Sequence, residues 1–262
     1  VNTDTVGSYS VTYNVSDANG NAAVEVLRTV KVVDTSAPQI TLTGSSTVTH
    51  EAGMSFTDWG AIAVDSLDGD LSGNVDVVST VDVSKPGVYT VSYGLSDAVG
   101  NKAKGVLRTV TIVDTRPPVI KLKGEALVLH EAGGSYTDAG ASASDLVDGD
   151  LSGELDMLST VNIGKPGVYT VSYVVSDSLG NKARATVRKV SVVDTTGPVI
   201  TLNGDEVVTH EAGGSYKDGG ATADDVVDGA VSVQTSGDVN SNKPGSYTLV
   251  YSAVDSLGNV SA

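Results

Sequence analysis

The chain has no cysteine among its 262 residues, and it has one tryptophan, one phenylalanine and three histidines. Disulfides and thiolate metal sites are therefore excluded. Basic residues are also scarce, with 16 lysines and arginines against 32 acidic residues and a formal net charge of −16. So acidic a surface argues against nucleic acid and anionic lipid as partners, because both require clustered positive charge. No apolar run approaches the ~20 residues of a membrane-spanning helix, so membrane insertion is not expected, and no segment resembles a signal peptide.

What the sequence does contain is an internal repeat. Three nearly identical strings recur at a spacing of 80 residues, at Thr49–Gly53, Leu129–Gly133 and Thr209–Gly213. A second string, Lys85–Tyr93, returns as Lys165–Tyr173 and, two residues early, at 243–251. A period of this size indicates an array of modules, and each unit is long enough to bury a core of its own.

The period predicts four modules. They are the C-terminal part of an Ig-like repeat, two full repeats, and a repeat that lacks its last strand, at 1–34, 35–114, 115–194 and 195–262. The connecting segments read Asp-Thr-x-x-Pro and contain no flexible Gly/Ser run, which favours an elongated rod. A chain that begins at Val1 in mid-repeat is expected to be an excerpt from a longer array.

Within each repeat the hydrophobic pattern has period two. Tyr89, Val91, Tyr93 and Leu95 share one face of a predicted strand, which a turn at 97–101 joins to a strand ending at Asp114. Further strands are predicted at Gln39–Thr43, Thr47–His50, Ala61–Asp65 and Val75–Thr80. Many short strands without an amphipathic helix predict an all-β fold of tandem antiparallel β-sandwiches, and the Gly-x-Tyr string at Tyr89 is typical of a tyrosine corner.

Taken together, the motifs resemble those of a bacterial Ig-like family. Their order is Pro-x-Ile-x-Leu-x-Gly, Glu-Ala-Gly-Gly-Ser-Tyr-x-Asp, Asp-Gly-Asp-Leu-Ser-Gly, Lys-Pro-Gly-x-Tyr and Asp-x-x-Gly-Asn. The family is similar to HYR modules, to the Ig-like module of some insecticidal crystal toxins and to bacterial adhesin stalks. The resemblance implies tandem arrays in secreted or surface-anchored bacterial proteins, hence an extracellular or cell-surface location, and it implies no reaction.

The sequence lacks the motifs that are typical of catalytic sites. Each repeat carries one histidine with no second ligand nearby, and no Gly-x-Ser-x-Gly nucleophile elbow occurs. The pair Asp68 and Asp70 has a spacing that a glycosidase could use, but the same acids return in the next repeat. Active sites are rarely copied along an array, so we expect a protein that is not an enzyme.

Repeated acidic residues are expected to meet where each repeat receives its incoming linker. Asp97 and Asp34 continue the inward phase of their strands, and carboxylates in that position need partners. A calcium ion, which takes six to eight oxygen ligands, is one such partner. The candidate ligands are Asp34, Asp65, Asp68, Asp70, Asp97 and Asn101 at the first junction, Asp114, Asp145, Asp148, Asp150, Asp177 and Asn181 at the second, and Asp194, Asp225, Asp228, Asp255 and Asn259 at the third. Because Ala230 replaces the second loop acid, we expect weaker binding at the third junction.

Two alternatives to calcium stay open. An Asp-x-x-Gly-Asn segment forms a good turn by itself, since its aspartate accepts backbone N–H groups. Alternatively, Arg28, Arg108 or Arg188 could neutralise the acids.

The sequence predicts a non-catalytic spacer or stalk of an extracellular bacterial surface protein, with neighbouring repeats as partners. A module that binds a glycan or a protein is one alternative, although Phe56 and Trp59, the aromatic residues that a sugar platform would use, occur in one repeat only. A self-assembling filament or surface layer made of copies of the chain is another. Strand donation between copies would supply the missing last strand but duplicate the strand before it.

Overall fold

The computed structural model describes residues 1–261, which are almost entirely β-structure. They form 21 strands and two short 3₁₀ helices, Ser72–Asn74 and Ser152–Glu154. The chain divides into two compact units, Val1–Thr115 and Arg116–Ala262. Among residues 1–261, no helix has both the length and the apolarity that crossing a bilayer requires.

We call residues 35–114 the first repeat, 115–194 the second repeat and 195–262 the last module. The strands up to residue 114 are β1 (Gly7–Tyr13), β2 (Val26–Val32), β3 (Gln39–Leu42), β4 (Thr47–Glu51), β5 (Ala61–Asp65), β6 (Gly69–Asp70), β7 (Asp76–Ser79), β8 (Gly87–Gly94) and β9 (Val106–Val113). The second repeat contains β10 (Val119–Leu122), β11 (Leu127–Glu131), β12 (Ala141–Asp145), β13 (Gly149–Asp150), β14 (Asp156–Ser159), β15 (Gly167–Val174) and β16 (Thr186–Val193). The last module contains β17 (Val199–Leu202), β18 (Ala221–Asp225), β19 (Gly229–Val231), β20 (Val233–Ser236) and β21 (Val250–Ala253).

Each full repeat is a sandwich of a three-stranded and a four-stranded sheet. The orders are β3-β5-β6 with β4-β9-β8-β7 in the first repeat, and β10-β12-β13 with β11-β16-β15-β14 in the second. The predicted all-β class of repeated Ig-like sandwiches is confirmed. One pair in each repeat, β4 with β9 and β11 with β16, is parallel, which the sequence pattern did not indicate.

Alternation along the long strands builds the core. In the second repeat, Val171 and Tyr173 of β15 and Val190 and Val192 of β16 are buried, and they pack with partly buried neighbours such as Ile120. The predicted inward face of the long strand is therefore confirmed. Each fully buried aliphatic side chain contributes about 1.5–3 kcal/mol relative to an exposed one, so this alternating face drives the folding of the sandwich.

The tyrosine corner is also confirmed. The hydroxyl group of Tyr89 donates a hydrogen bond to the carbonyl of Lys85 at 3.0 Å, and that of Tyr169 donates to Lys165 at 2.8 Å. The chain reverses direction just before β8 and β15, and this bond holds the reversal closed.

The arginines of the last strands are not near the junction acids, so the alternative in which Arg108 or Arg188 neutralises them is wrong. Arg108 is buried in the core, where it pairs with Asp58 and donates to the Tyr93 hydroxyl. Arg188 pairs with Asp138 in the same way. Both arginines occupy an inward position of the strand, which removes them from the loops at its end. Arg28, on β2, lies over the ring of Tyr13 with its guanidinium carbon 5.6 Å from the ring centroid.

Candidate metal centre

Three aspartates meet at the end of the first repeat that receives the linker. Asp34 follows β2, Asp65 ends β5, and Asp97 begins the turn after β8. One carboxylate oxygen from each lies within 4.8 Å of the others. The three come from separate segments of the chain, as the topological argument predicted, and we call this group the first triad.

Each member of the first triad uses one oxygen to hold its own turn. Oδ1 of Asp65 accepts hydrogen bonds from the backbone N–H groups of Leu67 at 2.7 Å and Asp68 at 3.0 Å. Oδ1 of Asp97 accepts from the N–H groups of Gly100 and Asn101, both at 2.7 Å. These turns fix where the carboxylates point, so the triad is positioned by the backbone.

The second oxygens of Asp34 and Asp65 are buried and accept no hydrogen bond from the described part of the chain. Asp65 as a whole is only 4% exposed. A buried carboxylate oxygen without a donor is unfavourable unless a proton or a cation satisfies it. The structure therefore leaves a position for a positively charged partner beside the triad.

The last module contains the same arrangement, which we call the last triad. Its members are Asp194, Asp225 and Asp255, with one oxygen each within 4.8 Å of the others. All three residues are more than nine-tenths buried, and Oδ2 of Asp194 has no hydrogen-bond partner among residues 1–261. The first triad and the last triad thus have the same arrangement of three carboxylates at two separate junctions.

Burial and neighbouring charge change the acidity of these groups. Burial, together with the charge of Asp225, raises the pKa of Asp194 above its usual value. In Asp97 and Asp255 burial acts in the same direction, but hydrogen bonds from Asn101 and Asn259 outweigh it and lower the pKa. Each triad therefore combines hydrogen-bonded turn carboxylates with at least one buried carboxylate oxygen that has no hydrogen-bond partner among residues 1–261.

Two of the asparagines predicted as ligands donate hydrogen bonds to the aspartates and to the linker backbone. Asn101 donates from Nδ2 to the Asp97 carboxylate at 2.7 Å and to the backbone carbonyl of Asp34 at 3.3 Å. Asn259 makes the equivalent bonds to Asp255 at 2.7 Å and to the carbonyl of Asp194 at 3.2 Å. They connect the incoming linker to the turn, and their amide nitrogens, not their oxygens, face the triad.

The loop acids lie beside the triads. Oδ2 of Asp68 accepts the backbone N–H of Ala98 at 2.9 Å, and Oδ1 of Asp70 accepts the hydroxyl of Ser72 at 2.6 Å. In the second repeat Asp148 and Asp150 bond Ser178 and Ser152, and in the last module Asp228 bonds Ser256. The acid that Ala230 replaces is thus one that bonds a loop serine, and the last triad is complete without it.

The middle set of acids is divided between the two units. Asp145 accepts the N–H groups of Val147 and Asp148, and Asp177 accepts those of Leu179 and Asn181. Asp114 follows β9 in the first unit. A calcium site shared by these residues remains a prediction.

Two further contacts on the linkers escaped the sequence reasoning. Glu131 accepts hydrogen bonds from the backbone N–H of Thr195 at 2.7 Å and from its hydroxyl at 2.9 Å, and this lowers the pKa of Glu131. Glu51 holds Thr115 in the same way, at 2.8 and 3.0 Å. The signal was present as the recurring glutamate of the His-Glu-Ala-Gly string and the recurring Asp-Thr pair.

The donor set fits a hard divalent cation. It consists of carboxylate oxygens without nitrogen or sulfur, which suits calcium better than zinc. Three carboxylates fall short of a full calcium shell, so water or loop carbonyls would complete it. The unpartnered oxygens of Asp34, Asp65 and Asp194 are the atoms best placed to bind.

Comparison with known proteins agrees with the repeat pattern. The family model for the bacterial surface protein Ig-like domain matches residues 1–32, 40–112, 120–192 and 200–262. The pesticidal crystal protein Cry22Aa of Bacillus thuringiensis is 32% identical over 98% of this chain, and hyalin of Strongylocentrotus purpuratus is 31% identical over 79%. The chain spans 36% and 18% of the length of these two relatives.

Among solved structures, the M60 catalytic domain with its CBM51 domains from Clostridium perfringens ZmpB is similar over 81% of this chain and 36% of its own. The sequence identity is 15% and the TM-score 0.40, a similarity too low to bear on function. The family model covers most of the chain and all three of the repeated strings. The resemblance noted from the motifs is confirmed, and the chain belongs to the bacterial surface Ig-like domain family.

Proposed function

We propose that the chain is a non-catalytic spacer of an extracellular bacterial surface protein, and that calcium bound by the aspartate triads stiffens the junctions between repeats. The observation that carries this proposal is the last triad, three buried carboxylates with an unpartnered oxygen on Asp194. A calcium ion supplies the positive charge that such a group lacks.

The origin of the carboxylates explains why a cation would act on the junction. Asp194 belongs to the linker that leaves β16, whereas Asp225 ends β18 and Asp255 begins a turn of the module that follows. Binding to all three ties the linker to the following module. Glu131, through Thr195, already ties the same linker to the preceding repeat. The linker is then attached to the repeat before it and to the module after it, and such attachment is what a spacer of fixed length requires.

The histidines favour a structural role. Nε2 of His130 lies 3.2 Å from the carbonyl oxygen of Gly134, and its ring packs edge-on against Tyr136. His50 and His210 repeat both contacts. A histidine held in this way in every repeat supports a turn, which accords with a protein that carries out no reaction.

Calcium titration of matched variants tests the proposal. Asp65→Asn removes a charge from the first triad while its remaining oxygen can still accept the turn N–H groups. We expect this variant to bind one calcium ion fewer than the unmodified chain. Asp76→Asn, at an exposed acid of β7 that is not a candidate ligand, is the control and should keep the full stoichiometry.

Thermal unfolding provides the second readout. An ion that binds only the folded state stabilises it by about 2.7 kcal/mol at one hundred times its Kd, so chelation should lower the Tm. Magnesium should restore less, because it prefers strict octahedral geometry and retains its water. Identical melting curves in calcium and in chelator would remove the metal from the proposal. The elongated arrangement remains a prediction, which small-angle scattering with and without calcium can measure.

A further inference from the structure

The recurring Glu-Ala-Gly string of the second repeat, residues 131–133, lies where β11 ends. Two backbone hydrogen bonds fix its conformation. The N–H of Ala132 donates to the carbonyl of Val193 at 2.7 Å, and the N–H of Gly133 donates to the carbonyl of Ile163 at 2.9 Å. The Glu-Ala-Gly string is therefore held firmly by its own repeat.

The last module places two valines of one loop against this string. A methyl group of Val226 lies so close to Gly133 that a Cβ added to the glycine would meet it at 2.1 Å. Val227 is half-buried and packs against the core cluster that contains Ala132. The core of the second repeat thus extends to a residue of the next module. Removing this apolar surface from water stabilises the contact without a metal ion.

Gly133 meets two separate requirements for a residue without a side chain. Its φ of 77° lies in the left-handed region, which glycine adopts readily. Gly213, the equivalent residue of the last module, has a φ of 96°, so the turn itself calls for glycine. A Cβ on Gly213 would meet no atom of residues 1–261 within 4 Å. The close approach of Val226 is therefore a property of the junction and not of the turn.

The segments that contact the string also carry two members of the last triad. Oδ1 of Asp225 accepts the N–H of Val227 at 2.8 Å, so this carboxylate and the two valines share one loop. Asp194 immediately precedes Thr195, which Glu131 holds through two hydrogen bonds. The second repeat therefore supports two of the three carboxylates of a site that belongs to the next module.

We propose that the Glu-Ala-Gly string is a docking element that positions the metal site of the following module, and that the second repeat thereby raises the calcium affinity of the last triad. The string acts through Thr195, Val226 and Val227, so its residues are positioning residues. A site whose carboxylates are already held in place loses less conformational freedom when it binds. The gain in affinity rests on the proposed binding of calcium by the triads, whereas the docking contact does not.

The coupling acts in both directions. By thermodynamic linkage, the factor by which docking strengthens calcium binding is also the factor by which calcium strengthens docking. At low calcium the junction is held by apolar packing and by the bonds of Glu131 to Thr195. At high calcium the ion adds to both. The preceding repeat thus regulates the site of its neighbour.

Nuclear magnetic resonance of the full chain in chelator tests the docking contact by itself. We expect nuclear Overhauser effects between the methyl protons of Val226 and the α-protons of Gly133, because these groups are in van der Waals contact. Their absence would overturn the proposal at its first step, whatever the calcium affinity.

Calcium titration of the same sample then measures each triad separately. The amide signal of Asn259, whose N–H donates to Asp255, reports the last triad. The amide signal of Asn101, whose N–H donates to Asp97, reports the first triad and is an internal control. Val227→Ser should weaken the Kd of the last triad by about fivefold or more, the lower end of typical coupling between sites, and should leave the first triad unchanged.

A second variant replaces Val226 by a residue that the chain itself uses in this position. In the first repeat Ser66 is the equivalent of Val226, and Asp65 still accepts the N–H of Leu67 at 2.7 Å. Val226→Ser should therefore keep the loop conformation. Because Val226 is 68% exposed, we expect a smaller loss of calcium affinity than in Val227→Ser.

The polar contact is tested by Thr195→Val, which removes the hydroxyl that donates to Glu131. This variant should also weaken the last triad. None of these substitutions changes a charge, so the electrostatic field at the triad is preserved. Val250→Ser, a 55% exposed valine of β21, is the matched control and should bind calcium as the unmodified chain does.

The outcomes separate this inference from the proposed function. No calcium response at either triad of the unmodified chain would overturn the proposed function and the gain in affinity, while the Overhauser effects would still decide the docking contact. Calcium binding that Val227→Ser and Thr195→Val leave unchanged would overturn the inference alone. Circular dichroism establishes that the variants are folded. An equal loss in Val250→Ser would attribute the effect to general destabilisation and would also overturn the inference.

Discussion

The second repeat and the last module contain nearly the same motifs but bury them differently. Tyr173 is 3% exposed in the core of the second repeat, whereas its equivalent Tyr251 is half-buried. The aspartate triad is nevertheless complete in the last module. The comparison teaches that the last strand closes the hydrophobic core, and that the junction acids are positioned by turns which do not require it.

Breaking the buried ion pair should produce the largest difference between the two regions. Asp138→Asn leaves the Arg188 guanidinium buried without a counter-charge, and such losses cost about 3–5 kcal/mol. The matched Asp218→Asn change touches no arginine, and the amide oxygen can still accept the Tyr251 hydroxyl, so we expect a loss of about 1 kcal/mol or less. Chemical denaturation of both variants measures the contrast, and equal losses would show that the ion pair contributes nothing beyond that bond.

Truncating the core tyrosine should give the next largest effect. Tyr173→Ala removes a fully packed aromatic ring from the second repeat and should lower its free energy of unfolding by about 3–5 kcal/mol. Tyr251→Ala should cost less, because its side chain is already partly in solvent. Domain-resolved hydrogen exchange can assign each loss to its module. An unchanged second repeat in Tyr173→Ala would mean that the ring contributes no packing energy there.

The hydrophobic period and the connectivity of a sandwich were sufficient to predict much of the fold and the meeting of the three aspartates of the first triad. The predicted strand Ala61–Asp65 is β5, and the inward phase of Tyr93 follows directly from its alternation with Val91. The meeting of Asp34, Asp65 and Asp97 follows from where strands end in a sandwich. These inferences use local pattern plus one rule of connectivity, so a single sequence is enough.

Other features depend on contacts that a local pattern does not encode. Arg108 and Asp58 are 50 residues apart, and an arginine in an apolar phase gives no indication of which acid it meets. The topology places the loop of Asp70 at the junction, but the sequence does not indicate that this carboxylate accepts the hydroxyl of Ser72. The parallel pairing of β4 with β9 is likewise invisible, because period two gives the face of a strand and not its neighbour.

The subtlest contrast lies in the ionisation of the core tyrosines. Burial, reinforced by the hydrogen bond to Asp138 and by its negative charge, raises the pKa of Tyr173 to about 12. The pKa of Tyr251 is also about 12, but there the main cause is the hydrogen bond to Asp218. A pKa raised above the usual value of about 10 means that the neutral phenol favours the folded state. That stabilisation is complete below pH 10 and is lost as the pH rises through 12.

Absorbance titration near 295 nm should therefore resolve tyrosines that ionise about two pH units above the usual tyrosine value of about 10. Tyr173→Phe and Tyr251→Phe should each remove one member of that late group. Asp218→Asn should shift Tyr251 towards 10 and leave Tyr173 where it is, because only Tyr251 owes its pKa to that carboxylate. If Asp218→Asn leaves the late group intact, burial and not the hydrogen bond to Asp218 sets the pKa of Tyr251.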